Sequence, residues 1–410
     1  MKQIITSLDL GSNSIKLVVG EIFGNRLFVL CGVVVKSQGI KNGIITNPDK
    51  AGAAIKSAIK KLESLIGIKV DKVVVSVPSF DAKFIKGEGS LTFEEEKEIV
   101  GTDITELLSK SVYKKVSSKE ELVSVYPIDF IINGEKIVKD PKGKETKEIA
   151  VNSIITTIPK QNADVLYDVL QKLDIKVADL SFGGMADYYE FREKEMINKS
   201  VAVINIGEDK TEVSIIEKDS LVGCETLEMG GRNIDRDISY IYDITLENAR
   251  KLKEEFALCY KSKASTSEIV EVTTKSDETI KINQYEISEV VYSRVREILE
   301  AAKKSINLLT KHEISYIIIT GGSTNIDGFK NVYSLVFGST KVYSTVEDMG
   351  ARNNKFSTSL GLIKLYADKL GFRGKTASTV NSENQKLLFN NKKKNDNTFF
   401  GKIYNYFFDN

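Results

Sequence analysis

The sequence predicts an α/β protein made of a duplicated domain, with a small α+β subdomain inserted in the first half and an amphipathic helix at the C-terminus. Three observations carry this. Residues 7–19, SLDLGSNSIKLVV, and residues 203–216, VINIGEDKTEVSII, each read as strand, Gly-centred polar turn, strand; Leu8, Asp9, Leu10 and Gly11 overlay Ile204, Asn205, Ile206 and Gly207. Each hairpin is followed by a third strand, helix and a short apolar strand in the same order. A polar stretch rich in Lys and Asn then leads to the aromatic segment TFFGKIYNYFFDN.

At 410 residues the chain is long enough for two domains with interiors of their own. Hydrophobic residues at 41% and charged residues at 28% describe a soluble globular protein. A net charge of +1, without a long basic stripe, gives no field to attract nucleic acid, so no nucleic-acid partner is expected. Cys31, Cys224 and Cys259 are few and far apart, which fits a reducing compartment and opposes a disulfide framework or clustered metal site. His312 is the only histidine, which excludes His-based triads and multi-histidine zinc sites; it is expected in the loop before the ISYIIIT strand. MKQIITSLDLG is strand-like rather than a signal peptide, and no run approaches the roughly 18 apolar residues of a spanning helix. The main body is therefore expected in the cytosol.

In the first half, RLFVLCGVVV reads as the third strand, about Asp49 to Leu65 as a helix, and DKVVVSVP as a buried strand. The second half matches with LVGCETLEM, helices from about Asn233, and SYIIITGGS. The first insertion, from roughly Phe84 to Pro159, carries a helix that Asp103 and Glu106 would start as a capping box, with Ile104, Leu107, Leu108 and Val112 at helical spacing. Strands SVYPIDFII, GEKIV and EIAVNSIITTIP follow. The second insertion, from Asn233 to Thr310, combines charged helices around LENARKLKEEFA and VYSRVREILEAAKKSINLL with polar strands VEVTT and ETIKI. The expected division is a first domain over 1–83 and 161–198, interrupted by a subdomain at 84–160, and a second domain over 199–232 and 311–373, interrupted at 233–310. A flexible linker over 374–397 precedes the helix at 398–410, because that polar stretch has only Leu387, Leu388 and Phe389 to bury.

A Gly-centred hairpin turn presents backbone N–H groups with no side chain in the way, which suits a phosphate oxygen. One such turn is commonplace, but two facing each other across a cleft can grip a triphosphate from both sides. Gly11, Ser12 and Asn13 would supply donors, Lys16 charge, and Asp9 would face Mg²⁺ through water. Asn205, Gly207, Glu208, Asp209, Lys210 and Thr211 occupy the matching turn. At the end of IIITGGSTNIDGF, Gly321, Gly322 and Ser323 allow a flat ring such as adenine to lie against backbone. Gly230 and Gly231, in LEMGGRNIDRDI, either pass beneath a nucleotide or make a tight strand-to-helix turn.

On a helical wheel, Phe399, Phe400, Ile403, Tyr404, Tyr406, Phe407 and Phe408 share one broad arc, and Gly401, Lys402, Asn405 and Asp409 the other. Such a helix spans about 20 Å, short of the roughly 30 Å hydrocarbon core, so it can lie on a bilayer and not cross it. Lys392, Lys393, Lys394 and Lys402 would attract an anionic membrane surface; docking onto a protein groove is the alternative.

The order of these segments, with GG-x-x-I-x-x-DI from Gly230 to Ile238 between the second hairpin and the TGGS loop, resembles the superfamily of actin, sugar kinases and heat-shock chaperone ATPases. Within it the chain is most similar to the FtsA family, through the place of the first insertion, the segment FIINGEKIVKDPKGKETKEIAV and the aromatic tail after a polar linker. The resemblance implies actin-like (ribonuclease H-like) domains around a cleft for ATP and Mg²⁺, with Lys253 also at the nucleotide. It further implies self-polymerisation into a filament and binding of the FtsZ C-terminal peptide by residues 233–310. The tail helix would tether the FtsZ ring to the cytoplasmic face of the membrane at the division site, where other division proteins are recruited.

Departures qualify the chemistry. Asn205 stands where the family usually has Asp, GEDKTE where it has Gly-Gly-x-Thr-Thr-Asp, and Ala249-Arg250-Lys251-Leu252-Lys253 where it has Ala-Glu-x-x-Lys. ATP binding is expected to survive, with hydrolysis slow or absent, so that the chain is at most a weak ATPase whose catalytic residues are unassigned. Alternatives on the same fold are a small-molecule kinase, for which no base carboxylate stands out, and a pilus-assembly adaptor, which has no need of the aromatic tail.

Overall fold

The computed structural model describes residues 2–24, 26–348 and 350–390. The chain begins with β1 (Gln3–Leu10) and β2 (Ser14–Phe23), an antiparallel hairpin in which Leu10 faces Ile15 across the first Gly turn. Ile4, Ile5, Leu8 and Leu10 of β1 are all buried, because the strand lies inside its sheet. β3 (Arg26–Lys36) pairs with β2, and a two-residue hairpin, β4 (Ile40–Lys41) and β5 (Ile44–Ile45), follows. Helix α1 (Pro48–Ile66) starts where Asn47 Oδ1 accepts from the Lys50 N–H at 3.0 Å and stops at Gly67 in the left-handed region; β6 (Lys72–Val77) then pairs parallel with β1.

The insertion comprises β7 (Lys83–Glu98), α2 (Gly101–Val112), β8 (Glu120–Ile132), β9 (Lys136–Val138) and β10 (Glu145–Pro159), in a sheet ordered β7-β10-β8-β9. It has a core of its own around Leu91, Ile104, Leu107, Phe130 and Val151. It also reaches the second half: Ser220 Oγ donates to the Pro127 carbonyl at 3.0 Å and Lys139 Nζ to the Lys218 carbonyl at 3.1 Å. The chain returns through α3 (Lys160–Gln171), β11 (Lys176–Phe182) and α4 (Gly183–Phe191).

The second half repeats the plan with β12 (Ser200–Ile206), β13 (Thr211–Glu217) and β14 (Ser220–Leu227). Helices α5 (Gly231–Ile241) and α6 (Leu246–Glu255), the hairpin β15 (Ile269–Thr273) and β16 (Thr279–Asn283), and α7 (Gln284–Leu309) come next. β17 (Tyr316–Thr320), α8 (Phe329–Phe337), β18 (Lys341–Tyr343), α9 (Ser357–Phe372) and α10 (Ser382–Asn390) complete it. The two large sheets run β11-β6-β1-β2-β3 and β18-β17-β12-β13-β14, each with an antiparallel meander beside parallel strands. The duplication expected from two hairpins is thus present in whole-sheet topology.

Helices α4 and α9 lie between the halves. Phe182, Met185 and Tyr188 join Leu360, Leu362 and Ile363 in one core with Leu8 and Val18 of the first sheet and Val201 and Ile216 of the second. The helices approach so closely that a Cβ on Gly361 would overlap the Ala186 carbonyl, which only glycine permits. The outer face of the second sheet has a separate core with α5 to α8.

Two expectations are corrected. Asp103 does not open α2: the helix begins at Gly101, and Asp103, in its first turn, accepts from the Val100 N–H at 3.0 Å and from Lys97 Nζ at 2.9 Å, while Glu106 is exposed. Residues 374–390 do not behave as a solvated linker. The Thr379 N–H donates to the Ile4 carbonyl at 2.9 Å, Thr379 Oγ1 accepts from the Thr6 N–H at 2.7 Å, Val380 is buried, and Leu388 packs on the first core. β1 pairs with β6 only at Ser7 and Leu8, so backbone groups earlier in the strand are left on that side, and this segment satisfies them. The remainder of the expected linker and the residues expected to bind the membrane, Phe399, Phe400, Ile403, Tyr404, Phe407 and Phe408, lie outside the described residues. Among the described residues, no helix is long and apolar enough to cross a membrane.

Candidate functional site

β1, β6, β12 and β17 all end at the gap between the sheets, where crossing connections leave a crevice. One cavity of about 460 Å³ fills it, a volume suited to a nucleotide-sized ligand. Its walls bring together Asp9, Gly11, Ser12, Asn13 and Lys16 from the first hairpin, Asn205, Gly207, Glu208 and Lys210 from the second, and Lys253, Gly321, Gly322 and Ser323.

Thr211, Gly230 and Gly231 are not on these walls. Thr211 is buried, with Oγ1 donating to the Met229 carbonyl at 2.8 Å. Gly230 makes the strand-to-helix turn: Asn233 Oδ1 accepts from its N–H at 3.0 Å, and the next two N–H groups, of Gly231 and Arg232, donate to the Gly207 and Glu208 carbonyls at 2.9 and 2.8 Å. The pair pins α5 onto the second hairpin from behind.

Asp9 and Lys16 face each other in the first hairpin's register, and Lys16 Nζ lies 3.0 Å from Asp9 Oδ2 while Ser76 Oγ donates to Oδ1 at 2.7 Å. The same register in the second hairpin pairs Asn205 with Glu212, so the carboxylate has changed strands. Glu212 Oε2 is 3.1 Å from Lys210 Nζ, whereas Oε1 is buried and has no hydrogen-bond partner among the described residues. Ser12 Oγ accepts from the Asn42 N–H at 2.9 Å, which leaves its own proton free to donate.

Beneath the cleft floor, Asp187 of α4 is fully buried and accepts from Asn205 Nδ2 at 2.6 Å, Ser357 Oγ at 2.8 Å and Thr358 Oγ1 at 2.9 Å. Burial pushes its carboxyl up to about 7, against the pull of these three donors. Gly321, at φ +100°, sits against Asn205: a Cβ there would lie 2.6 Å from Asn205 Oδ1.

The second turn is rich in ion pairs. Asp209 meets Arg232, Glu208 meets Arg250, and Lys253 Nζ is buried 2.6 Å from Asp235 Oδ1. Burial raises the Glu208 carboxyl although Arg250 opposes it. Sequence reasoning missed Ser76, Asp187, Glu212, Glu254, Lys355, Ser357 and Thr358. Glu254 and Lys355 line the cavity, so an acid does face the wall next to Lys253, one turn along α6 from Arg250. Two acids, Asp187 and Glu190, in the otherwise apolar GGMADYYEF were the available signal for Asp187. The basic residues Arg294 and Arg296 stand apart from the cleft and are paired with Asp237 at 2.6 Å and Glu300 at 2.8 Å.

With this geometry in view, the relatives are informative. The model of the family "Cell division protein FtsA" matches residues 202–361. The cell division protein FtsA of Staphylococcus epidermidis is 29% identical over 366 residues, covering 87% of this chain and 77% of that protein. The Bacillus subtilis FtsA is 25% identical over 383 residues, covering 90% and 87%. Among solved structures, the PilM-PilN type IV pilus biogenesis complex superposes with a TM-score of 0.58 at 14% identity, covering 88% of this chain and 98% of the other. MreB5 of Spiroplasma citri bound to ADP gives 0.54 at 12% identity, covering 89% and 96%. These last two show the actin-like fold. Along most of its length, on an actin-like fold with a duplicated sheet, this chain is similar to the cell division protein FtsA.

Proposed function

We propose that this protein binds ATP with Mg²⁺ in the cleft, polymerises with itself, and tethers the FtsZ ring to the cytoplasmic face of the membrane at the division site, where it recruits further division proteins. The observation that carries the nucleotide part is the convergence of both Gly hairpins and the TGGS loop on one cavity. In this reading the turn at Gly11 to Asn13 and the turn at Gly207 to Lys210 hold the phosphates. Gly321, Gly322 and Ser323 back the base, and Glu254 offers a carboxylate to the ribose side. Asp9 would hold Mg²⁺ through water, and the ion would neutralise phosphate charge when bound. Hydrolysis is slow or absent, because Asn205 is neutral and its amide is already engaged by Asp187.

The FtsZ C-terminal peptide is assigned to the second insertion, where Tyr240 and Ile241 at the end of α5 are 88% and 55% exposed and Leu246 at the start of α6 is 46% exposed. The membrane contact is assigned to Phe399, Phe400, Ile403, Tyr404, Phe407 and Phe408. Cosedimentation with anionic liposomes, using the full chain and one ending at Lys394, tests the tether. FtsZ should pellet only with the full chain, and Tyr240→Ala should release FtsZ while leaving the chain itself on the liposomes. Equal pelleting by both chain lengths removes the tail from the account.

A further inference from the structure

Arg250 ties the two hairpin turns together. From α6, its Nη1 donates to Asn13 Oδ1 of the first turn at 3.1 Å, and its Nη2 pairs with Glu208 of the second. Its Nε and Nη2 both lie 3.3 Å from Asp235 Oδ2, whose other oxygen belongs to Lys253. Asp235 is 1% exposed and therefore fixes the guanidinium whether or not Glu208 is present. Arg232 Nη2 approaches the same Glu208 oxygen at 3.6 Å.

Two guanidinium groups thus converge on one carboxylate, and that carboxylate stands on the cleft wall together with Asn13. A planar guanidinium recognises phosphate as well as carboxylate, with the same forked geometry. A polyphosphate entering beside an ionised Glu208 is repelled by it, and gains most by taking over its partners. Burial holds the Glu208 carboxyl above its ordinary range, so its charge is already costly where it stands.

We propose that Glu208 is an internal anion occupying an Arg232–Arg250 phosphate site, and that a nucleotide phosphate displaces it, making Arg250 a phosphate ligand that also touches the first half. This rests on the nucleotide reading above. Substitution of an acid by Arg250 on this helix is then not a lost contact but half of a charge exchange with Glu208.

The test is equilibrium titration of the full chain with a fluorescent ATP analogue and Mg²⁺, and with adenosine as a phosphate-free probe, in wild type, Glu208→Gln, Arg250→Gln and the double variant. Glu208→Gln should bind the ATP analogue about tenfold more tightly and Arg250→Gln about tenfold more weakly, with adenosine unchanged; each tenfold is a 1.4 kcal/mol difference. In the Arg250→Gln background, Glu208→Gln should give little further gain. Thermal melting reports whether each variant folds, and Arg250→Lys, which keeps charge without the fork, replaces Arg250→Gln if the latter does not. If wild type binds ATP and Glu208→Gln binds it no better, the exchange is wrong and the nucleotide reading stands. An equal gain for adenosine would also overturn it. If neither wild type nor Glu208→Gln binds any nucleotide, the nucleotide reading falls and this inference with it.

Discussion

Asn205 Nδ2 donates to Asp187 Oδ2 at 2.6 Å, joining the end of β12 to helix α4. The contact explains the amide at position 205. An Asp there would set two carboxylates against each other in a buried site, where they must share one proton. The acid that holds this amide is Asp187, one layer below the cleft.

Asn205→Asp should therefore destabilise the protein by about 2–4 kcal/mol at pH 8 and by much less at pH 5.5, where one proton bridges the pair. Asp187→Asn combined with Asn205→Asp restores a donor and an acceptor and should recover most of the loss. Chemical denaturation at the two pH values measures this; an equal loss at both would contradict it.

Asp187 also sets a pH dependence. Its folded-state pKa, about 7, lies above the ordinary carboxyl value near 4. The folded state then holds a proton between those values that the unfolded chain has released. The resulting stability is complete below about pH 4 and is lost as pH rises through about 7, with a slope of at most about 1.4 kcal/mol per unit for this group. Asp187→Asn should flatten the fall in denaturation midpoint between about pH 4.5 and pH 7, and an unaltered slope would rule out Asp187 as its source.

Lys253 and Asp235 form an ion pair whose side chains are 4% and 2% exposed. Lys253→Met strands a buried carboxylate and should cost about 3 kcal/mol, the low end of the range for broken buried pairs because Arg250 still reaches Asp235. Adding Asp235→Asn should return part of that loss. Urea unfolding of the single and double variants reads both values, and a double variant less stable than Lys253→Met would refute the pairing.

Gly321 adopts φ +100° with Asn205 and Ile206 packed where a Cβ would go. Gly321→Ala should cost about 1–3 kcal/mol from backbone strain and crowding together. A melting temperature within a degree of wild type would show that the loop relaxes freely.

What the sequence made legible was local. The hairpins at Gly11 and Gly207 could be found because strand alternation and the turn glycine share one short window, and their duplication implied the paired sheets. β7 escaped because, at a sheet edge, only Gly87 and Leu91 of its residues are buried, and the charges that blunt such an edge hide its period. Asp187 escaped because its partners, Asn205 and the adjacent Ser357 and Thr358, come from two distant segments. Arg250 was legible as a departure, but its meaning needed Glu208 beside it. Residues 374–390 read as linker from composition, although Thr379 and Val380 are enough to fasten the segment to β1.

The most direct test of the cleft as the nucleotide site is calorimetric titration of the full chain with ATP and Mg²⁺, comparing wild type with Gly322→Trp. Gly322 has room for a Cβ, the nearest neighbouring atom being Lys355 Cβ at 3.9 Å, so the variant should keep its melting temperature while its ring fills the space assigned to adenine. The account predicts saturable binding to wild type and at least a tenfold loss, about 1.4 kcal/mol, in the variant. Equal affinity in a folded variant would contradict it.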